Sequence, residues 1–349
     1  MNDPVSVEPW PEGGLEQVPG CPLCASRSRD VVHTGMTDRI FFCAPGEWTL
    51  YRCGGCAAGY LDPRPTAETI SLAYNTYYTH GAASKAETGQ LGWMRRVRRG
   101  LANGYRNHHF GTHDRPASAL GILSAMVLTR QRITIDTECR HLPKARPDSR
   151  LLDVGCGDGS FLEFAQRAGW SVMGVDFDPK AVEAAQSRGL DIRQGGVEVL
   201  PDDERFDGIT LSHVIEHVHD PLALLKSCHR LLSPGGWIWL ETPNLDSLGH
   251  GYYGANWRGL EPPRHLVLFT PDAMQQALAA AGFIGARFQR AALACTFTFS
   301  ASESIARGEG SRHEYSYMEE AKPRIKAAEH EAAKSPAVRE FITIKAWKV

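Results

Sequence analysis

An α/β fold with a Rossmann-like parallel sheet is what the sequence predicts for residues 149–349. From residue 150 onward, short apolar segments alternate with amphipathic ones, a pattern typical of a parallel sheet flanked by helices. Glycine stands at every second position from 155 to 159, directly after the first apolar segment. An acid, Asp176, ends the next one. Together these observations indicate a nucleotide-binding sheet.

The individual elements follow from the same alternation. Strands are predicted at 151–154, 171–175, 191–194, 206–212, 236–242, 286–291 and 340–346. Helices are expected to begin at Ser160, Pro179 and Pro221, and a further helix to cover 271–281. Ligands of such sheets bind at the carboxyl ends of the strands, so those ends are the first place to look for a site.

The glycine-rich turn follows the first strand. Glycine at 155 and 157 lets the backbone turn sharply and leaves no side chain between the turn and a ligand. Asp153 ends the strand, where the cation of a bound ligand would lie, and no basic residue stands in the turn. This favours an ammonium or sulfonium over a pyrophosphate. Asp176 follows 23 residues after Asp153, the spacing at which a carboxylate meets ribose hydroxyls.

At these residues the chain resembles the class I S-adenosylmethionine-dependent methyltransferases. Asp-Val-Gly-Cys-Gly-Asp-Gly (153–159) matches their first motif, and Val-Asp-Phe-Asp-Pro (175–179) matches their second. The resemblance implies a seven-stranded sheet whose last strand runs in reverse, and S-adenosylmethionine as the cofactor. A Rossmann-like fold for another nucleotide is the alternative.

The resemblance also implies how the cofactor is held. Asp153, Gly155 and Gly157 would surround the methionine, Asp176 would hold the ribose and Phe177 would flank the adenine. Val197 lies in the segment expected to reach the adenine, although a glycine, Gly196, replaces the usual Asp there. Backbone groups or Glu198 would then recognise the adenine. Tyr74 and Tyr78, in a helix expected from about residue 66, would contact the methionine end of the cofactor or simply pack against the core.

Two Cys-x-x-Cys pairs near the N terminus predict a structural zinc site. Cys21 and Cys24 form one pair, and Cys53 and Cys56 form the other. Two such pairs complete a tetrahedral Cys₄ site, and the alternating segment between them is typical of a hairpin, which together indicate a zinc ribbon. Four thiolates leave no open coordination position, so Zn²⁺ here would be structural. We therefore divide the chain into a zinc ribbon (1–65), a helical cap or insertion (66–148) and a catalytic domain (149–349).

The helical insertion is basic. Residues 81–150 hold 13 Lys or Arg against 5 Asp or Glu, although the whole chain has a net charge of −2. A solvated helix face is the favoured explanation, and a positive rim that attracts an anionic substrate, such as a phosphorylated or nucleotide-linked molecule, is the functional alternative. A helix lying on a membrane is a third interpretation, but the apolar face formed by Trp93, Met94, Val97 and Leu101 is short. No run of 18 apolar residues exists, so no transmembrane segment is expected.

An irregular segment after the fifth strand, residues 241–270, is the predicted acceptor loop. Long stretches without clear secondary structure are more often functional than idle. Its aromatic residues would wall a pocket and its arginines would pair with an anionic group. The residues expected to bind the acceptor are Asn244, Tyr252, Tyr253, Trp257, Arg258 and Arg264. The pattern from Trp257 resembles bacterial methyltransferases of surface polysaccharide and specialised metabolism. Sugar C-methyltransferases have Tyr-x-Glu-His in a comparable place, of which only His265 is kept here.

Two histidines are candidate general bases. Ser-His-Val-Ile-Glu-His-Val (212–218), after the fourth strand, resembles the ubiquinone-biosynthesis O-methyltransferases and places His213 nearest the cofactor. His265 lies in the acceptor loop and is the first choice, with His213 second, because histidine exchanges protons near neutral pH. A histidine that merely holds the loop by hydrogen bonds is the structural alternative for His265. His217 is expected to be structural.

The function predicted from the sequence is an O-methyltransferase acting on a small polar or glycosylated molecule. A C-methyltransferase of a nucleotide-linked sugar is the nearest rival. An RNA methyltransferase is disfavoured because the chain lacks both a pI above 9 and an Asn/Asp-Pro-Pro-Tyr motif, so no nucleic-acid partner is expected. A binding protein without activity remains a third class. The scattered cysteines and the acidic, proline-rich N terminus favour the cytoplasm.

Overall fold

The computed structural model of the chain describes residues 9–74, 92–310 and 316–349. The predicted cofactor contact Tyr78 lies outside these ranges. The strands of the described residues are β1 (Leu15–Glu16), β2 (Arg29–Met36), β3 (Trp48–Cys53), β4 (Gly59–Leu61), β5 (Arg64–Pro65), β6 (Arg150–Val154), β7 (Ser171–Asp176), β8 (Ile192–Gln194), β9 (Phe206–Ser212), β10 (Leu232–Pro243), β11 (Val267–Leu268), β12 (Ile284–Phe288) and β13 (Phe341–Trp347).

The α-helices are distributed over all parts of the chain. They are α1 (Trp93–Phe110), α2 (Leu120–Val127), α3 (Thr129–Glu138), α4 (Ser160–Arg167), α5 (Pro179–Gln186), α6 (Pro221–Leu231), α7 (Leu248–Tyr253), α8 (Pro271–Ala280), α9 (Cys295–Ala306) and α10 (Met318–Lys334). Within the described residues, no helix is both long and apolar enough to cross a membrane.

The main sheet has seven strands in the order β12-β13-β10-β9-β6-β7-β8. Strands β6 to β10 pair in parallel, whereas β13 runs antiparallel to both β10 and β12. This confirms the predicted Rossmann-like sheet and its reversed last strand. The predicted bounds of the other strands of this sheet are correct to within one residue. The exceptions are β10, which begins at Leu232 rather than 236, and β12, which lies two to three residues earlier than predicted.

Local signals set the beginnings of the helices on this sheet. Helices α5, α6 and α8 each have proline in the first turn after a side-chain cap, and the caps are Asp178, Asp220 and Thr270. Proline fits the first turn because its missing N–H would have no partner there, and the capping oxygen satisfies a backbone N–H. These helices begin where the sequence predicts.

The N-terminal module is joined to the catalytic domain by a shared sheet. Its four strands have the order β11-β4-β3-β2, and β11 comes from the acceptor loop. Val267 pairs with Tyr60 and Leu268 with Gly59, in antiparallel register. The ribbon boundary at residue 65 therefore divides the sequence but not the sheet. Of the helix expected from about residue 66, the described residues contain a 3₁₀ turn over Ile70–Tyr74. The acceptor loop contains the unpredicted helix α7.

Candidate active site

The glycine-rich turn lies at the carboxyl end of β6, in the middle of the main sheet. Gly155 and Gly157 both have positive φ, +67° and +54°, a conformation that glycine adopts without strain. A Cβ at residue 155 would collide with Val214 Cγ2, so that glycine is required by packing against the end of β9. A Cβ at residue 157 would meet nothing within 4 Å. The backbone of Gly157 therefore faces open space, as a ligand-binding turn requires.

Asp176 ties this turn to the next strand. Its Oδ2 accepts the N–H of Gly157 at 2.7 Å, and its Oδ1 accepts the N–H of Asp178 at 2.9 Å. Each carboxylate oxygen can accept a second hydrogen bond, so Asp176 remains able to receive two vicinal hydroxyls. The adjacent Phe177 is 68% exposed, which leaves its ring available to a planar ligand.

Asp153 has a different environment from the one predicted. It is completely buried, and the cation it meets belongs to the chain itself: Arg140 Nη1 pairs with Asp153 Oδ1, and Thr210 Oγ1 donates to the same oxygen at 2.8 Å. Arg140 also lies over the Phe161 ring at 4.0 Å and has a positive φ of +49°. Asp153 Oδ2 has no hydrogen-bond partner among the described residues. The sequence predicts that Asp153 contacts a ligand cation, and the structure corrects this expectation. Asp153 instead forms an internal ion pair with Arg140 on the buried side of the glycine-rich turn.

The segment after β8 also differs in part from the prediction. The Val197 side chain is buried in the core, so any contact with a ligand would come from its backbone. Glu198 Oε1 accepts the N–H of Gly196 at 2.8 Å and remains exposed. This segment offers an exposed carboxylate and backbone groups near the place of the missing Asp.

His213 is the accessible histidine at the end of β9. Its side chain is 39% exposed, and its ring nitrogens lie 3.3 Å from Glu216 Oε1 and 3.7 Å from Glu241 Oε1. Its φ of +54° is unusual for a residue with a side chain, and such strain clusters at functional sites. Burial opposes a charge on the ring, but Glu216 and Glu241 outweigh it and raise the pKa of His213. Glu216 is fully buried and accepts from Thr242 at 2.9 Å, and His213 and His217 lower its pKa to about 2 despite that burial.

Two further histidines, His217 and His265, lie near Glu216. The Tyr74 hydroxyl lies 3.0 Å from His217 Nδ1, and the His217 and His265 rings are 4.7 Å apart. Nδ1 of each histidine faces a backbone carbonyl, that of Arg264 at 3.0 Å for His217 and that of Gly259 at 2.8 Å for His265. Since a carbonyl only accepts, each Nδ1 carries the proton in the neutral ring. His265 is almost completely buried, and this burial lowers its pKa to about 4.

Glu261 connects these groups to the predicted arginines. It pairs with Arg258, with Arg264 Nε at 3.1 Å and with His265 Nε2 at 3.8 Å. Burial opposes the charge on Glu261, but Arg258 and His265 hold its pKa below the usual range. Arg264 also donates to Asp38 Oδ1 in the ribbon at 2.8 Å and is completely buried. All its carboxylate partners are internal, so the structure corrects its expected role: Arg264 fastens the acceptor loop to the ribbon.

Other predicted acceptor residues divide into buried and exposed ones. Asn244 is buried and donates to the carbonyls of Ala337 and Arg339 at 2.9 and 2.8 Å. Trp257 is buried and donates to Glu340 Oε2 at 3.0 Å. Their expected place in the pocket wall is therefore corrected to internal support, and Tyr253 is nearly buried against Phe299 as well. Tyr252 is 54% exposed, and the Arg258 side chain is 15% exposed.

The four predicted cysteine ligands meet at one point of the N-terminal module. The four Sγ atoms all lie within 4.8 Å of one another, with Cys21 and Cys56 at 3.5 Å and Cys24 and Cys53 at 3.5 Å. None of the cysteines of the described residues forms a disulfide. A tetrahedral zinc ion with Zn–S bonds of about 2.3 Å holds its sulfurs roughly 3.8 Å apart. The thiol set and its spacing fit such an ion.

Sequence reasoning missed three functional neighbours. Arg140 was not recognised because nothing in the local pattern shows that its guanidinium turns back onto Asp153. Asp38 was missed because its partner Arg264 is distant in sequence. Glu261 was missed although its partners Arg258, Arg264 and His265 lie within four residues of it, a spacing that could have indicated the cluster. His217 was expected to be structural, and its carbonyl contact agrees with that, but the Tyr74 hydroxyl and the His265 ring also contact it.

Comparison with known proteins now identifies part of the chain. Residues 129–284 match a sequence family described as a methyltransferase domain. This stretch runs from α3 to the first residue of β12 and contains the glycine-rich turn, Asp176 and both candidate bases. That part of the chain is therefore similar to a methyltransferase domain.

Curated relatives match over a shorter stretch. The ubiquinone biosynthesis O-methyltransferase of Xanthomonas campestris pv. campestris (strain B100) is 40% identical over 108 residues, which is 29% of this chain and 45% of the relative. The enzyme of the same name from Chelativorans sp. (strain BNC1) is 37% identical over 148 residues, 39% of this chain and 58% of the relative. The chain thus spans about half the length of the curated relatives that it matches.

Solved structures resemble the chain only loosely. A SAM-dependent methyltransferase from Archaeoglobus fulgidus gives a TM-score of 0.42 at 21% identity, covering 65% of this chain and 98% of that one. An S-adenosylmethionine-dependent methyltransferase from Mesorhizobium loti gives 0.40 at 20% identity, covering 61% and 96%.

Proposed function

We propose that the protein is an S-adenosylmethionine-dependent methyltransferase that methylates a hydroxyl group of a small polar or glycosylated acceptor. The observation that carries the proposal lies at the carboxyl ends of β6 and β7, which we call the cofactor edge. There the backbone of Gly157 faces open space and donates its N–H to the Asp176 carboxylate. The methyltransferase-domain match and the O-methyltransferase names of the curated relatives support it.

The cofactor would be held by residues from the ends of two strands, β6 and β7. Asp176 would receive the ribose hydroxyls, Phe177 would cover the adenine, and the Gly155–Gly157 backbone would lie along the methionine. When bound, S-adenosylmethionine supplies an electrophilic methyl group. The chain must then place the acceptor oxygen in line with that methyl group and remove its proton.

His213 is the base that the geometry favours. It is accessible, it follows β9 beside the glycine-rich turn, and Glu216 and Glu241 stabilise the imidazolium that forms when it takes a proton. His265 is neutral at physiological pH, but its burial and low pKa make it a weak base with little access to a substrate. We therefore assign proton removal to His213 and a positioning role to His265.

One observation favours the rival reaction, C-methylation of a nucleotide-linked sugar. The contacts among Tyr74, His217 and His265 place a tyrosine and two histidines together, which are residue types that perform acid–base chemistry on a carbon acid. Exposed Tyr252 and the partly exposed Arg258 would then lie where a sugar or an anionic group could reach them. We rank this second because the Tyr and Glu of the sugar C-methyltransferase element are absent.

The N-terminal module is proposed to hold one structural Zn²⁺ through Cys21, Cys24, Cys53 and Cys56. Four thiolates fill a tetrahedral site and leave no position for a substrate, so the ion would stabilise the ribbon and take no part in the reaction. Reduced thiols need a reducing compartment, which supports the cytoplasm as the place of action. Metal analysis of purified protein should give about one zinc per chain, and substituting serine for both Cys53 and Cys56 should abolish it. A preparation with full stability and no bound metal would contradict the proposal.

The function is tested by incubating the protein with methyl-labelled S-adenosylmethionine and candidate acceptors or cell extract. Labelled product, formed more slowly at low cofactor concentration by an Asp176→Asn variant, supports a methyltransferase. Hot hydriodic acid then separates the two reactions, because it releases methyl iodide from O-methyl ethers but leaves C-methyl groups in place. Calorimetric binding of the cofactor without transfer to any acceptor would instead indicate a binding protein.

A further inference from the structure

Helices α1 and α2 carry an unusually exposed apolar surface on the basic insertion. Met126 is 70% exposed, Val127 80% and Trp93 74%. We call the surface formed by the following exposed side chains the apolar face: Trp93, Met94, Val97, Leu120, Leu123, Met126, Val127 and Leu128. Single exposed apolar residues are normal on a soluble protein, but a contiguous group of this size marks a surface that contacts something else.

The two helices present this surface as one rigid unit. A Cβ at Gly104 would collide with Ser118 O, and a Cβ at Gly121 would collide with Leu101 O, so the helices cross at backbone contact distance. Residues three and four apart share a helix face, which places Leu120, Leu123 and Val127 together on α2. On α1 the same spacing aligns Trp93 and Val97 with Leu101, at the crossing point. Because Gly121 faces α1, Leu123 and Val127 lie on the opposite side of α2, and the two helices carry two apolar stripes on one rigid unit.

The insertion is also fixed to the catalytic domain. Tyr105 and Phe110 of α1, Ala125 of α2 and Ile135 of α3 share one core cluster with Trp239 of the main sheet. Whatever the apolar face contacts is thus held at a set orientation to the sheet.

Charge within α1 and α2 has one sign, whereas Arg130, which follows α2, lies 3.5 Å from Glu329 of α10. Arg95, Arg96, Arg98 and Arg99 interrupt the apolar residues of α1, and all four positions are exposed. No acid occurs from residue 92 to 113, and no charged residue of either sign stands between Arg115 and Arg130. The face is therefore an uncharged apolar surface on α2 bordered by arginines on α1 and by Arg130, whose side chain is 89% exposed.

We propose that this face docks the protein on an anionic lipid bilayer. Interfacial helices bury apolar side chains at the acyl boundary while arginines reach the phosphates of anionic headgroups, and tryptophan favours the same interface. A second copy of the chain fits less well. A symmetric dimer through this face would bring two arginine runs together without acids to neutralise them. The proposal goes beyond methyl transfer and does not depend on it.

The test is sedimentation of the full-length protein with lipid vesicles. Vesicles of phosphatidylcholine alone are compared with vesicles that also contain phosphatidylglycerol, at low and at high salt. The wild type should bind the anionic vesicles at low salt and lose much of that binding at high salt or without phosphatidylglycerol. The double variant Leu123→Glu, Met126→Glu should bind more than about tenfold more weakly. The matched control is Ile284→Glu, which places the same charge at an exposed apolar position of β12 and should bind like the wild type.

A second pair of variants separates charge from apolar contact. Arg96→Glu combined with Arg99→Glu should weaken binding to the anionic vesicles by more than about tenfold, while Lys180→Glu on α5 should not. The proposal would be overturned if either double variant bound anionic vesicles like the wild type, or if the wild type did not bind them. A concentration-dependent dimer that Leu123→Glu dissociates, in a protein that fails to bind vesicles, would assign the face to a second copy instead.

Discussion

The cofactor edge and the acceptor loop lie at the same end of the sheet but are built in opposite ways. At the cofactor edge, polar groups contact near neighbours and remain partly open, as in Asp176 with the backbone of residues 157 and 178. In the acceptor loop, every residue from 261 to 270 is buried, and Arg264 reaches Asp38, 226 residues away. The cofactor edge is therefore exposed. The loop is mainly an internal support, held by buried hydrogen bonds and ion pairs, and it leaves few side chains available to a substrate.

This difference indicates where acceptor chemistry is performed. The groups of the loop that were expected to touch a substrate mostly hold other groups in place, with Asn244 and Trp257 as examples. Accessible chemistry is instead concentrated at His213, which belongs to the cofactor side. We infer that the loop fixes the shape of the site and that the strand ends perform the reaction.

The strongest test replaces each of the two candidate bases in turn. His213→Gln should lower kcat by about 10² to 10⁴-fold, the usual contribution of a general base. His265→Gln should have a smaller effect, because that ring is buried against the Gly259 carbonyl. Both variants are first checked for native circular dichroism and cofactor binding. A His265 variant that loses more activity than the His213 variant would reverse the assignment.

The pH dependence of kcat distinguishes the same two residues without mutation. A base must be neutral to accept a proton, so activity rises with pH through the pKa of the base in the folded protein. Glu216 and Glu241 raise the pKa of His213 above its ordinary value near 6.5, so its acid limb should lie above that pH. His265 has a pKa of about 4, so it would give an acid limb near pH 4. Glu216→Gln removes one stabilising charge and should move the limb of His213 to lower pH.

The support role of the loop is tested at Arg264. Arg264→Met leaves Asp38 buried without its cation and leaves Glu261 with Arg258 as its remaining arginine, which should cost about 3–5 kcal/mol of unfolding free energy. The matched control is Arg52→Met, because Arg52 pairs with Asp246 and joins the same two regions at the surface. That exposed pair should contribute at most about 1 kcal/mol. Chemical denaturation measures both, and equal losses would mean that burial of the pair is unimportant.

How far the sequence predicts this molecule depends on the distance between interacting residues. Helices α5, α6 and α8 begin at the expected prolines, because a cap and a proline act within one turn. The strands around the glycine-rich turn follow equally local patterns. The pairing of β11 with β4 does not, because nothing in Val267 or Leu268 specifies a partner two hundred residues earlier. The positive φ that directs Arg140 onto Asp153 is likewise set by tertiary packing rather than by local sequence.

The smallest expected effect concerns the cofactor edge. Asp176→Asn keeps the size of the side chain but removes the charge that receives the ribose hydroxyls, so cofactor affinity should fall by about 10 to 100-fold, the value of a charged hydrogen bond. Unfolding free energy should change little, because Asp176 is partly exposed and its amide oxygen still accepts one backbone N–H. Glu198→Gln is the comparison variant, because this exposed carboxylate on the neighbouring segment is the alternative contact for the cofactor and accepts only the Gly196 N–H among the described hydrogen bonds. Calorimetric titration with S-adenosylmethionine measures both variants. If Glu198→Gln loses more affinity than Asp176→Asn, the carboxylate after β8 contributes more to cofactor binding than the one at the end of β7. The cofactor edge is then centred at β8, one strand closer to the edge of the sheet.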